Sequence, residues 1–424
     1  MVLVAGLAAA PVPAPAQNRG SVAAATAVVS TTDRAIADAQ RRLAKAPGDA
    51  VATKALAGAY LQKVREYADP TYYDKVSALL TSLGGVQSTD PEVVLLEGTL
   101  LLARHQFADA LVAGRRAVAA LPSSAPAHGI LVDAYNELGR YDEALAATQA
   151  MVDLRPDLAA LSRVSYAREL RGDVPGAIEA MQQAVNAGTG TGEPSAYVQT
   201  LLGNLLLAHG NVSAASAVYA SALRAYPGLV GARAGQAAVL AARGRPGEAA
   251  ALMAKVVEAQ PQLQFVIAEG DYYRAASMTK QANEADQLVD AIAALNRASG
   301  VNIDLELSLY DADHRPNAAL VASTKRALAE RPSTTGHHAM AWVLHRAGRD
   351  REASAEMAKV ITVGDRDPVI RFHAAVIADA VGDVDEARRQ IDLVLAGNPR
   401  ASGINPVALT TLAGRLGRRI PAPR

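Results

Sequence analysis

Residues 205–227 read LLLAHGNVSAASAVYASALRAYP, and this stretch contains the pattern on which the fold depends. Residues 135–156 (YNELGRYDEALAATQAMVDLRP) and 238–261 (AVLAARGRPGEAAALMAKVVEAQP) repeat it. In each stretch, the end of one helix-like pattern is followed by a glycine, a second helix-like pattern and a proline. Because such units recur about every 34 residues, the sequence predicts stacked helical hairpins rather than one compact core.

The spacing within each unit has a mechanical cause. Glycine can adopt the left-handed conformation that ends the first helix. A small alanine five residues later lets the two helices pack closely, and a proline ends the second helix. His105 takes the place of the glycine in one further unit, which has Ala110 and Pro122. The turn glycines are Gly139, Gly172, Gly210, Gly244, Gly348 and Gly382, the alanines are Ala144, Ala177, Ala215, Ala249, Ala353 and Ala387, and the prolines are Pro156, Pro227, Pro261 and Pro399.

Composition agrees with this pattern and excludes several functions. Half of the 424 residues are hydrophobic but only 4% are aromatic, which favours closely packed helices over β-sandwiches or barrels. The formal net charge is zero, so no basic excess is present to bind nucleic acid. The sequence has no run of about twenty apolar residues, so it predicts no transmembrane segment. The excess of arginine over lysine and the abundant alanine are typical of a GC-rich bacterial genome.

The repeated unit resembles the tetratricopeptide repeat (TPR) family. The unit that begins at Ala196 supplies the residues of the family pattern in order: Gly203, Leu206, Gly210, Val212, Ala215, Tyr219, Ala222 and Pro227. The resemblance implies an all-α fold, an α-solenoid of about ten helical hairpins wound into a right-handed superhelix. It also implies a concave groove lined by the first helix of each repeat.

The repeats are expected to extend over residues 31–402, with degenerate units at 51–83 and 264–333. Residues 403–424 predict a capping helix followed by a basic tail. Residues 1–20 contain a short apolar run and the small-residue site Ala14-Pro15-Ala16, but no charged residue precedes the run. This pattern predicts a signal peptide and a periplasmic or secreted protein. The alternative is a disordered tail on a cytoplasmic protein.

The sequence contains no motif of a nucleotide-binding loop, a nucleophile elbow or a zinc protease. It also contains no cysteine, which excludes disulfides and thiolate chemistry. We therefore expect a protein that is not an enzyme and needs no cofactor. Its expected partner is another protein or a peptide, and neither the identity of that partner nor the oligomeric state follows from the sequence.

The family resemblance also implies which side chains face the concave groove. In TPR proteins, fixed positions of each first helix line it, and carrying them over predicts a partner-binding set. Trp342, the only tryptophan, is expected either to anchor a partner or to pack as core. The set consists of Asp133, Asn136, Glu137, Tyr166, Glu169, His338, Trp342, His345, Arg346, Phe372 and Asp379.

Two alternatives to a partner-binding groove stay open at this point. The array could assemble with itself into a structural scaffold. It could also be an accessory subunit with a minor metal or substrate site, because histidines and aspartates concentrate in the last repeats. His338 and His345 are spaced too far apart on one helix to share a metal, although His338 and His373 are nearly level in adjacent repeats. Asp311 and Asp313 are expected to pair locally with Arg315 or Arg326 or to attract a cationic partner.

Overall fold

The computed structural model describes residues 31–423, where 22 α-helices and one short 3₁₀ helix (Gly85–Gln87) form the regular structure, without a strand. The predicted signal peptide at residues 1–20 lies outside the described residues. The helices are α1 (Thr31–Lys45), α2 (Ala50–Tyr67), α3 (Tyr72–Ser82), α4 (Pro91–Ala103), α5 (Phe107–Ala120), α6 (Ala125–Glu137), α7 (Tyr141–Leu154), α8 (Leu158–Leu170), α9 (Val174–Ala187), α10 (Gly192–Ala208), α11 (Val212–Ala225), α12 (Val230–Ala242), α13 (Pro246–Ala259), α14 (Leu263–Ala275), α15 (Thr279–Ala298), α16 (Asp304–His314), α17 (Leu320–Glu330), α18 (Thr334–Arg346), α19 (Asp350–Val363), α20 (Pro368–Ala380), α21 (Val384–Ala396) and α22 (Pro406–Arg415).

Consecutive helices pack as hairpins from α2–α3 to α20–α21, and α1 and α22 lie at the two ends of the array. The predicted turn glycines all adopt the left-handed conformation, with φ from 68° at Gly139 to 84° at Gly382. His105 adopts it as well, with φ 58°. The alanines five residues after these turns are all buried. The prediction of an all-α solenoid of TPR-like hairpins is therefore confirmed.

The first helices lie on the concave side of the array. First helices of successive hairpins contact one another, as α4 contacts α6 and α10 contacts α12, whereas second helices pack mainly on the adjacent first helices. Small residues allow this close approach. The fully buried ring of Tyr219, on α11, fills the space beside Gly203 and Gly235, where an added Cβ would lie 2.5 Å and 2.2 Å from the ring.

The array curves so strongly that its second half stacks on its first half. Hydrogen bonds and an ion pair join residues that are 193 to 197 positions apart in the chain. Because one repeat is about 34 residues long, about six hairpins complete one turn of the superhelix. We call the line of contact the seam. It joins the hairpin turns near His105, Gly139, Gly172 and Gly210 to the inter-hairpin loops near Asn302, Pro332, Gly364 and Gly397.

Backbone approaches backbone directly along the seam. The amide of Asn302 donates to the carbonyl of Arg104 at 3.0 Å, and the amide of Thr334 donates to the Tyr141 hydroxyl at 2.7 Å. A Cβ on Gly139 would lie 2.3 Å from the carbonyl oxygen of Pro332. Glycine is therefore required in this hairpin turn for two reasons. Its φ is positive, and the backbone of the second turn of the superhelix leaves no room for a Cβ. Among residues 31–423, no helix combines the length and hydropathy of a membrane span.

Candidate partner-binding surface

The residues predicted to face the groove lie on four first helices. Helices α6 and α8 belong to the first turn of the superhelix, and α18 and α20 belong to the second turn. The seam runs along the carboxyl-terminal ends of α6 and α8, but it meets α18 and α20 at their amino-terminal ends. The two pairs of helices therefore place the predicted residues in different surroundings.

On α6, the predicted residues are buried by other parts of the same chain. Asp133 accepts two hydrogen bonds from the Arg163 guanidinium, at 2.9 Å and 2.5 Å. Burial raises the pKa of Asp133, and the charge of Arg163 opposes that shift. Glu137 forms a buried ion pair with Arg331 across the seam at 2.5 Å, and Arg331 also contacts Glu306 at 2.7 Å. These carboxylates are satisfied within the chain.

On α8, the predicted residues lie next to an acidic loop of the second turn. Asp365 and Asp367 precede α20, and Asp367 caps that helix by accepting hydrogen bonds from the amides of Val369 and Ile370. Burial and the neighbouring Asp365 and Asp367 raise the pKa of Glu169 to about 8. Burial also raises the pKa of Tyr166 well above its ordinary value. The seam therefore holds several carboxyl groups in a poorly solvated place.

On α18 and α20, the aromatic side chains form an interior stack. The rings of Trp342 and His373 lie parallel, with centroids 3.6 Å apart. His338 and His373 share a hydrogen bond of 2.8 Å between Nε2 and Nδ1, so the cross-helix pair considered from sequence exists. Trp342 is 5% exposed and donates from Nε1 to Asp313 at 2.9 Å, and Phe372 is also buried. Trp342 thus occupies the core position that the sequence left as an alternative.

The histidine pair lies in a buried environment. Burial lowers the pKa of His338 to about 4 and that of His373 well below its ordinary value. Both rings are therefore neutral near pH 7. Nowhere in residues 31–423 do three or more His, Asp or Glu side chains converge as metal ligands. Asp311 pairs with Arg315 at 3.0 Å, as expected from the local spacing.

Three of the predicted residues, His345, Arg346 and Asp379, lie at the carboxyl-terminal ends of α18 and α20, on an edge that the seam leaves uncovered. Arg346 is exposed and donates from Nε to the carbonyl of Ala312 at 2.9 Å. His345 contacts Asp350 at 2.7 Å, and Asp379 pairs with Arg415. The neighbouring turns contain Gly348 and Gly382, where an added Cβ would meet nothing within 4 Å. We call residues 346–352 and 379–384 the open rim.

A groove of about 480 Å³ opens in this rim, between the turn that precedes α19 and the end of α20. Its sides combine exposed apolar and charged groups. Val381, in the lining of the groove, is 37% exposed, and Val384, just beyond the lining on the same rim, is 42% exposed. Arg351 is also exposed and forms no ion pair with a described residue. The lining residues are Gly348, Arg349, Asp350, Arg351, Glu352, Ala380 and Val381.

The predicted set therefore divides by location. Asp133, Asn136 and Glu137 are buried by the same chain, and Tyr166 and Glu169 lie beside the seam. His338, Trp342 and Phe372 are buried in the second turn, whereas His345, Arg346 and Asp379 border the open rim. Partner binding by these side chains stays a prediction. Sequence reasoning missed Val381, Val384 and Arg351, because they lie in turns and at the starts of second helices, outside the first-helix positions that the family resemblance carries over.

Family models support the repeat assignment. Tetratricopeptide repeat models match residues 101–164 and 200–263. One similar solved structure is a tetratricopeptide repeat protein from Parabacteroides merdae, with 13% identity over 68% of this chain and 98% of that one, and a TM-score of 0.35. Another is the MamA protein, with 20% identity over 40% of this chain and 90% of that one, and a TM-score of 0.30. No curated protein matches the chain.

Two matched repeat segments, the spacing of turn glycines and small residues, and the continuous stack of helical hairpins all agree. Residues 101–164 and 200–263 are tetratricopeptide repeats, and the hairpins on either side of them continue the same stack.

Proposed function

We propose that the chain is a non-enzymatic scaffold that holds a partner protein at the open rim. Repeats of this family support a role in protein interaction in general, and they are typically non-catalytic. The proposal of the open rim rests on one contrast, between the hairpin turns in the first turn of the superhelix and those in its second turn. Equivalent hairpin turns are covered by the seam in the first turn of the superhelix, but they stay uncovered at Gly348 and Gly382.

The chemistry of the open rim supports protein binding. Val381 and Val384 form an exposed apolar centre, and Arg346 and Arg351 lie at its border. An apolar centre with a charged border is the usual composition of a protein interface. Arginine is also enriched among the residues that contribute most to binding energy. The rim is therefore suited to a partner that offers an apolar patch next to acidic or backbone carbonyl groups.

The absence of native cysteine allows a direct test, because one introduced cysteine carries a probe at a single place. Val381→Cys would place a thiol-reactive photo-crosslinker on the open rim. Val112→Cys, at a 57% exposed position of α5, would place it on the convex side as a matched control. In a lysate of the source organism, we expect defined protein adducts from Val381→Cys only. Equal adducts from both folded variants, or none from either, would contradict the proposal.

We also propose that the chain is exported, on the basis of the apolar run at residues 1–20 and the Ala14-Pro15-Ala16 site. Amino-terminal sequencing of the protein from fractionated cells tests this proposal. A periplasmic or secreted form that begins at Gln17 is the expected result. An intact chain found only in the cytoplasm would overturn it.

A further inference from the structure

We infer that the partner that fits the open rim is a second copy of this chain, whose first turn stacks on the second turn of the first copy. This inference rests on the proposed function, because it names the occupant of the proposed binding surface. At the seam, the chain already binds itself through the same kind of edge.

The seam joins two different edges of the array. One edge consists of hairpin turns, and the other consists of the loops between hairpins. At one point of contact, His105 Nδ1 lies 2.8 Å from the carbonyl oxygen of Asn302, and the amide of Asn302 donates to the carbonyl of Arg104. At the next point, the Tyr141 hydroxyl accepts a hydrogen bond from the amide of Thr334. A hairpin-turn edge in this protein therefore binds a loop edge.

Each copy retains one uncovered edge of each kind. The open rim is the uncovered hairpin-turn edge of the second turn. The loops of the first turn form the uncovered loop edge, and they are exposed at residues 122–123, 155–156 and 189–191. Because the same repeat geometry generates both turns, the loop edge of another copy meets the open rim as the second turn meets the first.

The exposed apolar groups of the open rim agree with a missing neighbour. Phe107 lies two residues after His105 in the first turn, is 4% exposed, and has the Arg331 guanidinium from across the seam 5.2 Å from its ring. Val384 lies two residues after Gly382, in the same place of its hairpin, and is exposed. This hairpin position is therefore covered by the seam in the first turn of the superhelix and open to solvent in the second turn.

Charge also suits such a contact. Arg351 is exposed on the open rim and forms no ion pair with a described residue, and Asp153 is exposed beside the loop edge at residues 155–156. Opposite charges on two facing edges favour their encounter and oppose the pairing of two identical edges. Because the two edges differ, each contact leaves another free edge, and the assembly grows head to tail as a filament rather than closing as a symmetric dimer.

The experiment uses the purified full chain and one matched pair of variants. Val384→Asp places a charge in the apolar centre of the open rim, at the start of α21, where an acidic residue is tolerated by the helix. Val112→Asp is the control on the convex side. Light scattering should give a wild-type mass that grows with concentration in multiples of 43.9 kDa. We expect Val384→Asp to stay at the mass of one copy and Val112→Asp to behave as the wild type.

A wild-type chain that keeps the mass of one copy at every concentration would overturn the inference. The inference would also fail if the mass of Val384→Asp rose with concentration as the wild-type mass does. The crosslinking experiment separates this failure from failure of the proposed function. An adduct at Val381→Cys with a protein of different mass would refute the second copy but retain the scaffold. No adduct of any kind would contradict both.

Discussion

Replacing Gly139 with alanine should force the two turns of the superhelix apart. An alanine in the left-handed conformation costs about 1–2 kcal/mol wherever it occurs. Gly348→Ala, at φ 74°, would experience this strain to the same degree as Gly139→Ala, at φ 68°. At Gly139, however, the new Cβ would also lie 2.3 Å from the backbone oxygen of Pro332, a contact that flexible side chains cannot relieve.

The separation draws Glu137 and Arg331 apart, and a buried charge that loses its partner costs about 3–5 kcal/mol. We therefore expect Gly139→Ala to lower the free energy of unfolding by about 4–7 kcal/mol, and Gly348→Ala by about 1–2 kcal/mol. Urea unfolding can be followed by circular dichroism and by the fluorescence of Trp342, the only tryptophan. Small-angle scattering should show a larger radius of gyration for Gly139→Ala alone. Equal losses of stability in the two variants would refute the reasoning.

Three further predictions concern single residues. Burial raises the pKa of Glu169 to about 8 from an ordinary value of 4.5, so its contribution to stability is present below pH 4.5 and is lost as the pH rises to about 8. Glu169→Gln should flatten the pH dependence of the melting temperature over that range, and an unchanged curve would contradict the assigned burial. Trp342→Ala should cost about 3–5 kcal/mol of stability in urea unfolding, because the ring is core, and an unchanged midpoint would place the ring outside the core. Ala215→Leu should cost about 1–3 kcal/mol by overpacking, whereas Arg243→Leu, close to its own turn, should cost far less in the same thermal scan.

The hairpins could be predicted from the sequence because their determinants are local. Gly210 and Ala215 belong to one unit, and the conformation of the turn and the close helix contact depend only on their spacing. The positions of Glu137 and Arg331 could not be predicted in this way. Their contact depends on curvature that accumulates over about six hairpins, and small changes in the angle of each repeat determine whether the turns meet.

The same reason explains which part of the candidate surface could be predicted. Family positions placed His345, Arg346 and Asp379 at the end of first helices, and these residues do border the open rim. Nothing in the repeat pattern distinguishes the covered turn at Gly139 from the open turn at Gly348. The repeat position of Trp342 fitted both core and groove, and its burial beneath the parallel ring of His373 identifies it as core.

A distance across the seam tests the stacking of the two turns most directly. Spin labels at Asp142→Cys and Ala329→Cys would flank the contact between Tyr141 and Thr334 from exposed positions, and no native cysteine competes for the label. Along the array, ten helix-to-helix steps of about 8–10 Å lead from α7 to α17, a path of roughly 80–100 Å. Stacked turns predict a narrow distribution at the short end of the range accessible to pulsed electron resonance. A broad distribution at long distances would show that the turns do not stack, and would contradict both the seam and the open rim.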